Sequence, residues 1–462
     1  MGTPLQVGVG LIAAGGAVLI GQSLWEVWRA AQARARRPNS TTPHGNPPPK
    51  VAHAVLTPEE TQYKRIIILG DIHGCPDELQ SLLDKVQYRQ GVDLLLSVGD
   101  LVNKGPDSEK VLKMAKELGM QAVRGNHDDA AVEAFRAWLS GRDMPKPAKH
   151  HWVPGLEESL AALLADLPFT LQLPAYNVIL VHAGLVPGMP LEQQLWTDLE
   201  KMRDVMPAAE TGLADEAAAA LKAGAPVDSL PTGDFDWGAA EAALAEVAAA
   251  AAKDRAAGQR PASGSGSSGG GGAPAGSPHA GSAGQAAAAQ QEAEPGLPPQ
   301  LQLRGREQPS PLGRAWASVW PGPLHVFFGH DAKRRLQRHP AATGLDTGCV
   351  YGGQLTAAVL PPLDEQGRPL EQRLNLPPDA EAITLASSLP AYLVSVPSKE
   401  VHSDKFLKPE QQKRGQQQEL AKLHTRQALA AHPHHAQHAQ HAEQQSTAAA
   451  AAPKSAADKK QE

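Results

Sequence analysis

Five times along this chain a short apolar run empties into a polar loop that opens with Gly, Asp, Asn or His, and no other feature constrains the fold as tightly. Ile66, Ile67, Ile68 and Leu69 lead into Gly70, Asp71, Ile72, His73 and Gly74, and Leu94, Leu95, Leu96, Ser97 and Val98 lead into Gly99 and Asp100. Ala122 and Val123 precede Gly125, Asn126, His127 and Asp128; Val178 to Val181 precede His182; Val326, Phe327 and Phe328 precede Gly329 and His330. Between the runs, Leu79, Leu82, Leu83 and Val86 recur at helical spacing, as do Val111, Leu112, Ala115 and Leu118, with Gly119 placed to cap that second helix. Strands alternating with amphipathic helices predict an α/β fold. Loops at strand C-termini are where such sheets carry their chemistry, so five strand ends deliver Asp, His or Asn to one rim.

The rest of the 462 residues must be sorted around that core. Aromatic residues make up only 4%, while 43 Gly, 40 Pro and long alanine tracts mark segments too poor in large apolar groups to offset their ordering entropy. The expected organisation is a membrane anchor with a basic flank over 1–37, a Pro-rich linker over 38–60 and a first core block over 61–205. A disordered low-complexity insertion over 206–309, a second core block over 310–397 and a disordered tail over 398–462, with a helix expected between 409 and 429, complete it. A long insertion adds little closure entropy, so the two blocks can fold as one unit. A net charge of −6 gives no footprint for general DNA binding. Cys75 and Cys349 are too few for a disulfide framework and read as small buried thiols, with redox control as the alternative. The His-rich stretch over 432–441 reads as low complexity beside Ala and Gln tracts, with transition-metal binding as the alternative.

Residues 5–24 are apolar apart from Gln6, Gln22 and Ser23, long enough to span a bilayer once. Arg29, Arg34, Arg36 and Arg37 gather on one side only, which predicts the catalytic part on the cytoplasmic face. The rival readings are an organellar targeting peptide, suggested by the Ala and Arg content, and a weakly apolar Gly/Ala segment that never inserts.

The strand-end residues have the chemistry of a two-metal hydrolase. Such a site needs hard oxygen and imidazole donors for two divalent ions about 3.5–4 Å apart, which together lower the pKa of a shared water and neutralise phosphoryl oxygens. Asp71 and His73 can reach one ion, Asp100 can bridge to a second, and Asn126, His182 and His330 can complete its shell. His127 is then placed as general acid and Lys104 as a cation for the phosphate. A lone strand-end histidine is usually just a hydrogen-bonded core or surface residue, but five independent motifs of the right types seldom coincide.

At these residues the chain resembles the calcineurin-like metallophosphoesterase superfamily: Gly-Asp-x-His-Gly at 70–74, Gly-Asp at 99–100, Gly-Asn-His-Asp at 125–128, His182 and Gly-His at 329–330. Within it, GDLVNKGP at 99–106, FGHDA at 328–332 and LDTGCVYGGQLTA at 345–357 look like the ApaH-like phosphatases, relatives of bacterial symmetrical diadenosine tetraphosphatase. The resemblance implies two mixed β-sheets flanked by helices. It also implies two divalent metal ions (Mn, Fe, Zn, Co or Mg) and a substrate drawn from phosphorylated small molecules: nucleoside polyphosphates, inorganic polyphosphate or capped RNA 5′ ends. Phosphoprotein phosphatases of the superfamily read Asp-Arg where this chain has Asn103 and Lys104. Asn103 is expected to accept a hydrogen bond from His127 without stabilising its charged form, and Lys104 is a point charge rather than a fork. Arg124, Arg203 and Tyr351 are further candidates for lining the substrate site, while Trp316 and Trp320 either stack on a nucleobase or belong to the core. The competing readings are a serine/threonine phosphoprotein phosphatase and a membrane-tethered pseudophosphatase acting as a binding module.

Overall fold

Each apolar run becomes a strand, and the runs are continuous rather than alternating because most of these strands are covered on both faces. The computed structural model describes residues 39–210, Leu213, 234–258, 298–308 and 312–403. In chain order the strands are β1 (His53–Val55), β2 (Ile66–Leu69), β3 (Leu94–Ser97), β4 (Gln121–Ala122), β5 (Thr170–Leu173), β6 (Val178–Val181), β7 (Asp204–Pro207), β8 (Leu303–Arg306), β9 (Arg314–Ala315), β10 (His325–Phe328), β11 (Gln337–His339), β12 (Ala342–Gly344), β13 (Gln354–Leu360), β14 (Glu381–Thr384) and β15 (Pro390–Pro397). The helices are α1 (Pro58–Thr61), α2 (Pro76–Lys85), α3 (Ser108–Leu118), α4 (Asn126–Leu139), α5 (Glu158–Asp166), α6 (Trp196–Lys201) and α7 (Trp237–Gly258).

Two six-stranded sheets, ordered β1-β5-β6-β10-β12-β11 and β14-β15-β13-β2-β3-β4, are both mixed, and a three-stranded sheet runs β8-β7-β9. Strands β2, β3 and β4 are parallel in one large sheet, and β6, β10 and β12 are parallel in the other. Alternate residues of β2 serve two interiors. Ile66 and Ile68 join Leu96, Leu180 and Phe327 in one core, whereas Ile67 and Leu69 pack with Leu79, Leu82, Val111 and Leu112 of α2 and α3. All four β2 side chains are fully buried, and each such burial contributes about 1.5–3 kcal/mol. A third cluster on the far side of the β6 and β10 sheet holds Trp196, Leu199, Leu244 and Trp316. The α2 and α3 helices fall where the periodicity predicts; Asp107 caps the start of α3 through Lys110 N–H at 2.8 Å, and Gly119 ends it with φ of 65°.

Two boundaries differ from expectation. Residues 39–60 are not a free spacer: Asn39 donates to Gln194 O at 2.8 Å, Asn46 is fully buried and donates to the Asp129 carbonyl at 2.7 Å, and β1 pairs with β5. Polar side chains that look like linker composition are here buried hydrogen-bond partners. The insertion is also shorter than its composition suggests. Leu303 to Arg306 return to pair with β7, and α7 forms from an alanine-rich stretch with high helix propensity, with Leu244 in the third cluster. Among the described residues no helix is long and apolar enough to cross a membrane; the apolar run over 5–24, most of the insertion and the tail, including the helix expected at 409–429, lie outside them.

Candidate metal centre

The C-terminal ends of β2, β3, β6, β10 and β12, with the N-terminus of α4 beyond β4, carry Asp71 and His73, Asp100, His182, His330, Asp346 and Asn126 respectively. Backbone geometry there is unusual: His73, Asp100 and His330 have φ of 50°, 53° and 68°, a region side chains seldom adopt and one that clusters at functional sites. Close approach needs glycine as well. A Cβ on Gly125 would lie 2.2 Å from Asp100 Oδ1, and one on Gly329 would lie 2.0 Å from Asp71 Oδ1.

The imidazoles are aimed by backbone carbonyls. His182 Nδ1 lies 2.9 Å from Val98 O, His73 Nδ1 3.3 Å from Val102 O and His330 Nε2 3.1 Å from Lys201 O. A nitrogen facing a carbonyl carries the proton, so the opposite nitrogen offers a lone pair. For His182 and His330 that lone pair meets Asn126 Oδ1, at 3.2 and 3.1 Å. Three acceptors converge with no hydrogen to share, an arrangement that a cation satisfies. Asp100 spans the cluster, with Oδ2 3.5 Å from His73 Nε2 and Oδ1 3.5 Å from His182 Nε2. Asp71 Oδ2 is 3.8 Å from His73 Nε2. On the other flank the Lys104 ammonium stands 2.6 Å from His73 Nε2 and feels the charges of Asp100, Asp346 and Asp71. The residues present therefore fit divalent cations.

Electrostatics point the same way. Burial, then the charges of Asp346 and Asp100, push Asp71 well above the usual carboxylate range. Burial also raises Asp346 and acts upward on Asp100, but His182, His73 and Lys104 outweigh it and hold Asp100 low. Asp128, whose carboxylate accepts from the backbone N–H of Asp100, Leu101 and Gly125, is pushed up to about 8 by burial and by Asp100. It fixes the Asp100 loop without joining the cluster. Asp346 and Asp128 lie within motifs read from the sequence, which assigned neither a role.

The remaining candidates divide. His127 has a ring centroid 4.8 Å from that of His73, a donor atom within 4.8 Å of those of His73 and Asp100, and a buried Nδ1 without a hydrogen-bond partner; burial, then Lys104 and His73, hold it well below the usual histidine range. The expected Asn103 to imidazole bond is absent. Asn103 Nδ2 donates instead to the His127 carbonyl at 2.9 Å, and its Oδ1 accepts the Trp152 indole N–H at 3.1 Å, so both ends of the amide are already committed. Tyr351 lies under Lys104, its ring centroid 5.2 Å from Nζ. Arg203 is beside the centre, donating to His330 O at 3.3 Å and Glu307 O at 3.2 Å. Arg124 does not line the site. It is 1% exposed, pairs with Asp129 at 3.4 Å, donates to Ala165 O and lies over the Phe169 ring. Trp316 is core as well, its indole N–H bonded to Ala183 O.

A family model described as calcineurin-like phosphoesterase matches residues 64–240. A symmetrical bis(5′-nucleosyl)-tetraphosphatase of Psychromonas ingrahamii is 37% identical over 128 residues, 27% of this chain and 46% of the relative. The one from Escherichia coli is 37% identical over 144 residues, 30% of this chain and 48% of the relative. The chain thus spans about half the length of the curated relatives it matches. A solved structure described as a putative diadenosine tetraphosphatase is 26% identical, covers 75% of this chain and 98% of its own, and superposes with a TM-score of 0.44.

Proposed function

We propose that the chain, whose residues 64–240 match the calcineurin-like phosphoesterase model, hydrolyses phosphoanhydride bonds of nucleoside polyphosphates, of the diadenosine tetraphosphate kind, with two divalent cations as cofactors. The observation that carries the reading is the convergence of the Asn126, His182 and His330 lone pairs beside an Asp100 whose two oxygens face different histidines. Asp71, His73 and Asp100 would hold one cation, and Asn126, His182 and His330, with Asp100, would hold the other. Bound there, the cations supply charge neutralisation and an activated water.

The chain's own groups do the rest. His127, next to ligand Asn126, gives a proton to the leaving oxygen, and Lys104 and Arg203 meet the phosphate oxygens from either side. A polyphosphate spreads its charge, so a rotatable ammonium serves it better than it serves a single phosphate, which gains more from a bidentate fork. A phosphate leaving group is also a far weaker base than a serine alkoxide, so the acid needs no charged partner. The names of the curated relatives favour the same substrate class.

The test is a substrate panel on the full chain, stripped with chelator and reloaded with single divalent metals. Expected is hydrolysis only after reloading, with diadenosine tetraphosphate turned over at higher kcat/KM than phosphoserine or phosphothreonine peptides and cleaved symmetrically to two nucleoside diphosphates. Capped dinucleotides and short inorganic polyphosphate complete the panel. Full activity of the chelated protein, or phosphopeptides matching the dinucleotide, would overturn the reading.

A further inference from the structure

A second cluster of metal-ligating side chains lies beside the phosphoesterase centre, made of different donors. Cys75 is the N-cap of α2 and Glu78 its third residue, so the thiol and the carboxylate share the first turn. Cys349 arrives from the loop between β12 and β13. One ligand atom from each of the three lies within 4.8 Å of the others, and the residues are 0%, 2% and 2% exposed. The end of the core folds over them. Lys399 N–H donates to Glu78 Oε1 at 2.9 Å, His402 N–H donates to Val350 O at 3.1 Å, and His402 Nε2 stands 3.8 Å from Glu78 Oε1.

A buried carboxylate is costly unless its charge is matched. Among the described residues the ion-pair partner of Glu78 is His402, and their 3.8 Å separation is too long for a hydrogen bond. Two thiols cannot supply a charge. A divalent cation bonded directly to the carboxylate would, with the two thiols releasing their protons to solvent as they become ligands. In a tetrahedral zinc site the usual bond lengths set sulfurs about 3.8 Å from each other, sulfur and oxygen about 3.6 Å apart, and oxygen and nitrogen about 3.4 Å apart. The ligand atoms of Cys75, Glu78 and Cys349, within 4.8 Å of one another, reach that geometry by closing about one ångström, and His402, 3.8 Å from Glu78 Oε1, swings in as the fourth ligand. The donor types also discriminate. Carboxylate, amide and imidazole at the phosphoesterase centre accept many divalent ions, whereas a pair of thiolates selects thiophilic ones.

We propose that Cys75, Glu78, Cys349 and His402 form a closed, four-ligand site for one thiophilic divalent cation of the zinc type, separate from the two catalytic ions. It is a fastening, with no open position for substrate. Cys75 follows His73 by two residues and Cys349 follows Asp346 by three, so the ion ties together two loops that shape the catalytic centre and pins the end of the core strand above them.

Cobalt(II) is the probe, because only thiolate ligation gives an intense near-ultraviolet charge-transfer band, and the catalytic donors contain no sulfur. The full chain, reduced, stripped and titrated with cobalt, should show that band. Asp100→Asn should keep it, Cys349→Ser should lose it, and His402→Ala, at the rim of the core, should weaken binding by about tenfold or more. Loading should also raise the melting temperature of Asp100→Asn, and that rise should be lost in the double variant Asp100→Asn/Cys349→Ser. If Cys349→Ser does not fold, Glu78→Gln and His402→Ala decide the matter by the same titration. Absence of the band at saturating cobalt, its persistence in Cys349→Ser, unchanged affinity in both Glu78→Gln and His402→Ala, or recovery of the two cysteines as a disulfide from freshly purified chain would each overturn the proposal.

Discussion

Asn103 shows how one buried amide can serve a catalytic loop without a hydrogen bond to its imidazole. Its NH2 group supports the His127 carbonyl while its oxygen holds Trp152, so both ends of the amide are committed in opposite senses. An aspartate there could still accept from the indole, but would set a carboxylate oxygen against a carbonyl. Asn103→Asp should therefore cost about 1–3 kcal/mol of stability, the usual range for a buried polar group left unpaired. Urea unfolding with and without the substitution checks this; an unchanged midpoint would refute the role. The six strand-end residues grouped in the centre were legible because each follows an apolar run. Asp346 was not, since the strand before it reads Ala-Thr-Gly and carries no apolar signal. Arg124, offered from sequence as a substrate-lining candidate or a packing residue, is packing: Ala165 and Phe169, some forty residues on, take its guanidinium into the interior.

The strand β10 that presents His330 at one end begins with a second histidine whose chemistry belongs to the sheet. His325 is 1% exposed; its Nε2 lies 3.0 Å from the Thr343 hydroxyl on β12, and its Nδ1 accepts the Ala386 N–H at 3.2 Å. Accepting that bond requires a neutral ring, and burial holds the imidazole down at about 4. Unfolded, it takes a proton near 6.5. Between those values the unfolded chain binds the extra proton, so this contribution is complete above about pH 6.5 and is lost as pH falls toward 4. Moving from pH 7 to pH 5 should thus remove about 2 kcal/mol through His325. Urea unfolding at both values should show a drop that shrinks by about that amount in His325→Gln; an equal drop in the two proteins would assign the acid sensitivity elsewhere. At this scale the sequence was informative where side-chain period decides the element, as in β2, α2 and α3. It was silent on pairing. Nothing local says that β13 enters between β2 and β15, or that β6 and β10 become neighbours across a long insertion, because register depends on residues far apart in the chain.

At the scale of the molecule, the two core blocks are joined by more than a shared centre. Arg65 in the first block pairs with Asp93 at 2.6 Å and donates to Leu374 O of the second at 2.7 Å, and β7 takes β8 on one side and β9 on the other. Composition could not reveal either contact, since a single buried arginine and a four-residue strand leave no compositional trace. The same holds at the start of the described chain, where Asn39 bonds both Gln194 and Trp196. That packing bears on the proposed tether. The apolar run over 5–24 and the arginines at 29, 34, 36 and 37 argue for a membrane anchor, and with residues from 39 onward fastened to the core no long spacer separates the two. A tether of this kind restrains the catalytic unit close to the bilayer surface, so anchoring should alter where the enzyme acts while leaving its chemistry intact. Tagged full-length chain should pellet with membranes and resist alkaline carbonate, whereas a version lacking residues 1–30 should be released with kcat/KM on diadenosine tetraphosphate within about twofold of the anchored protein. Full-length chain that stays in the supernatant, or that carbonate strips away, would show that the apolar run is not a transmembrane helix.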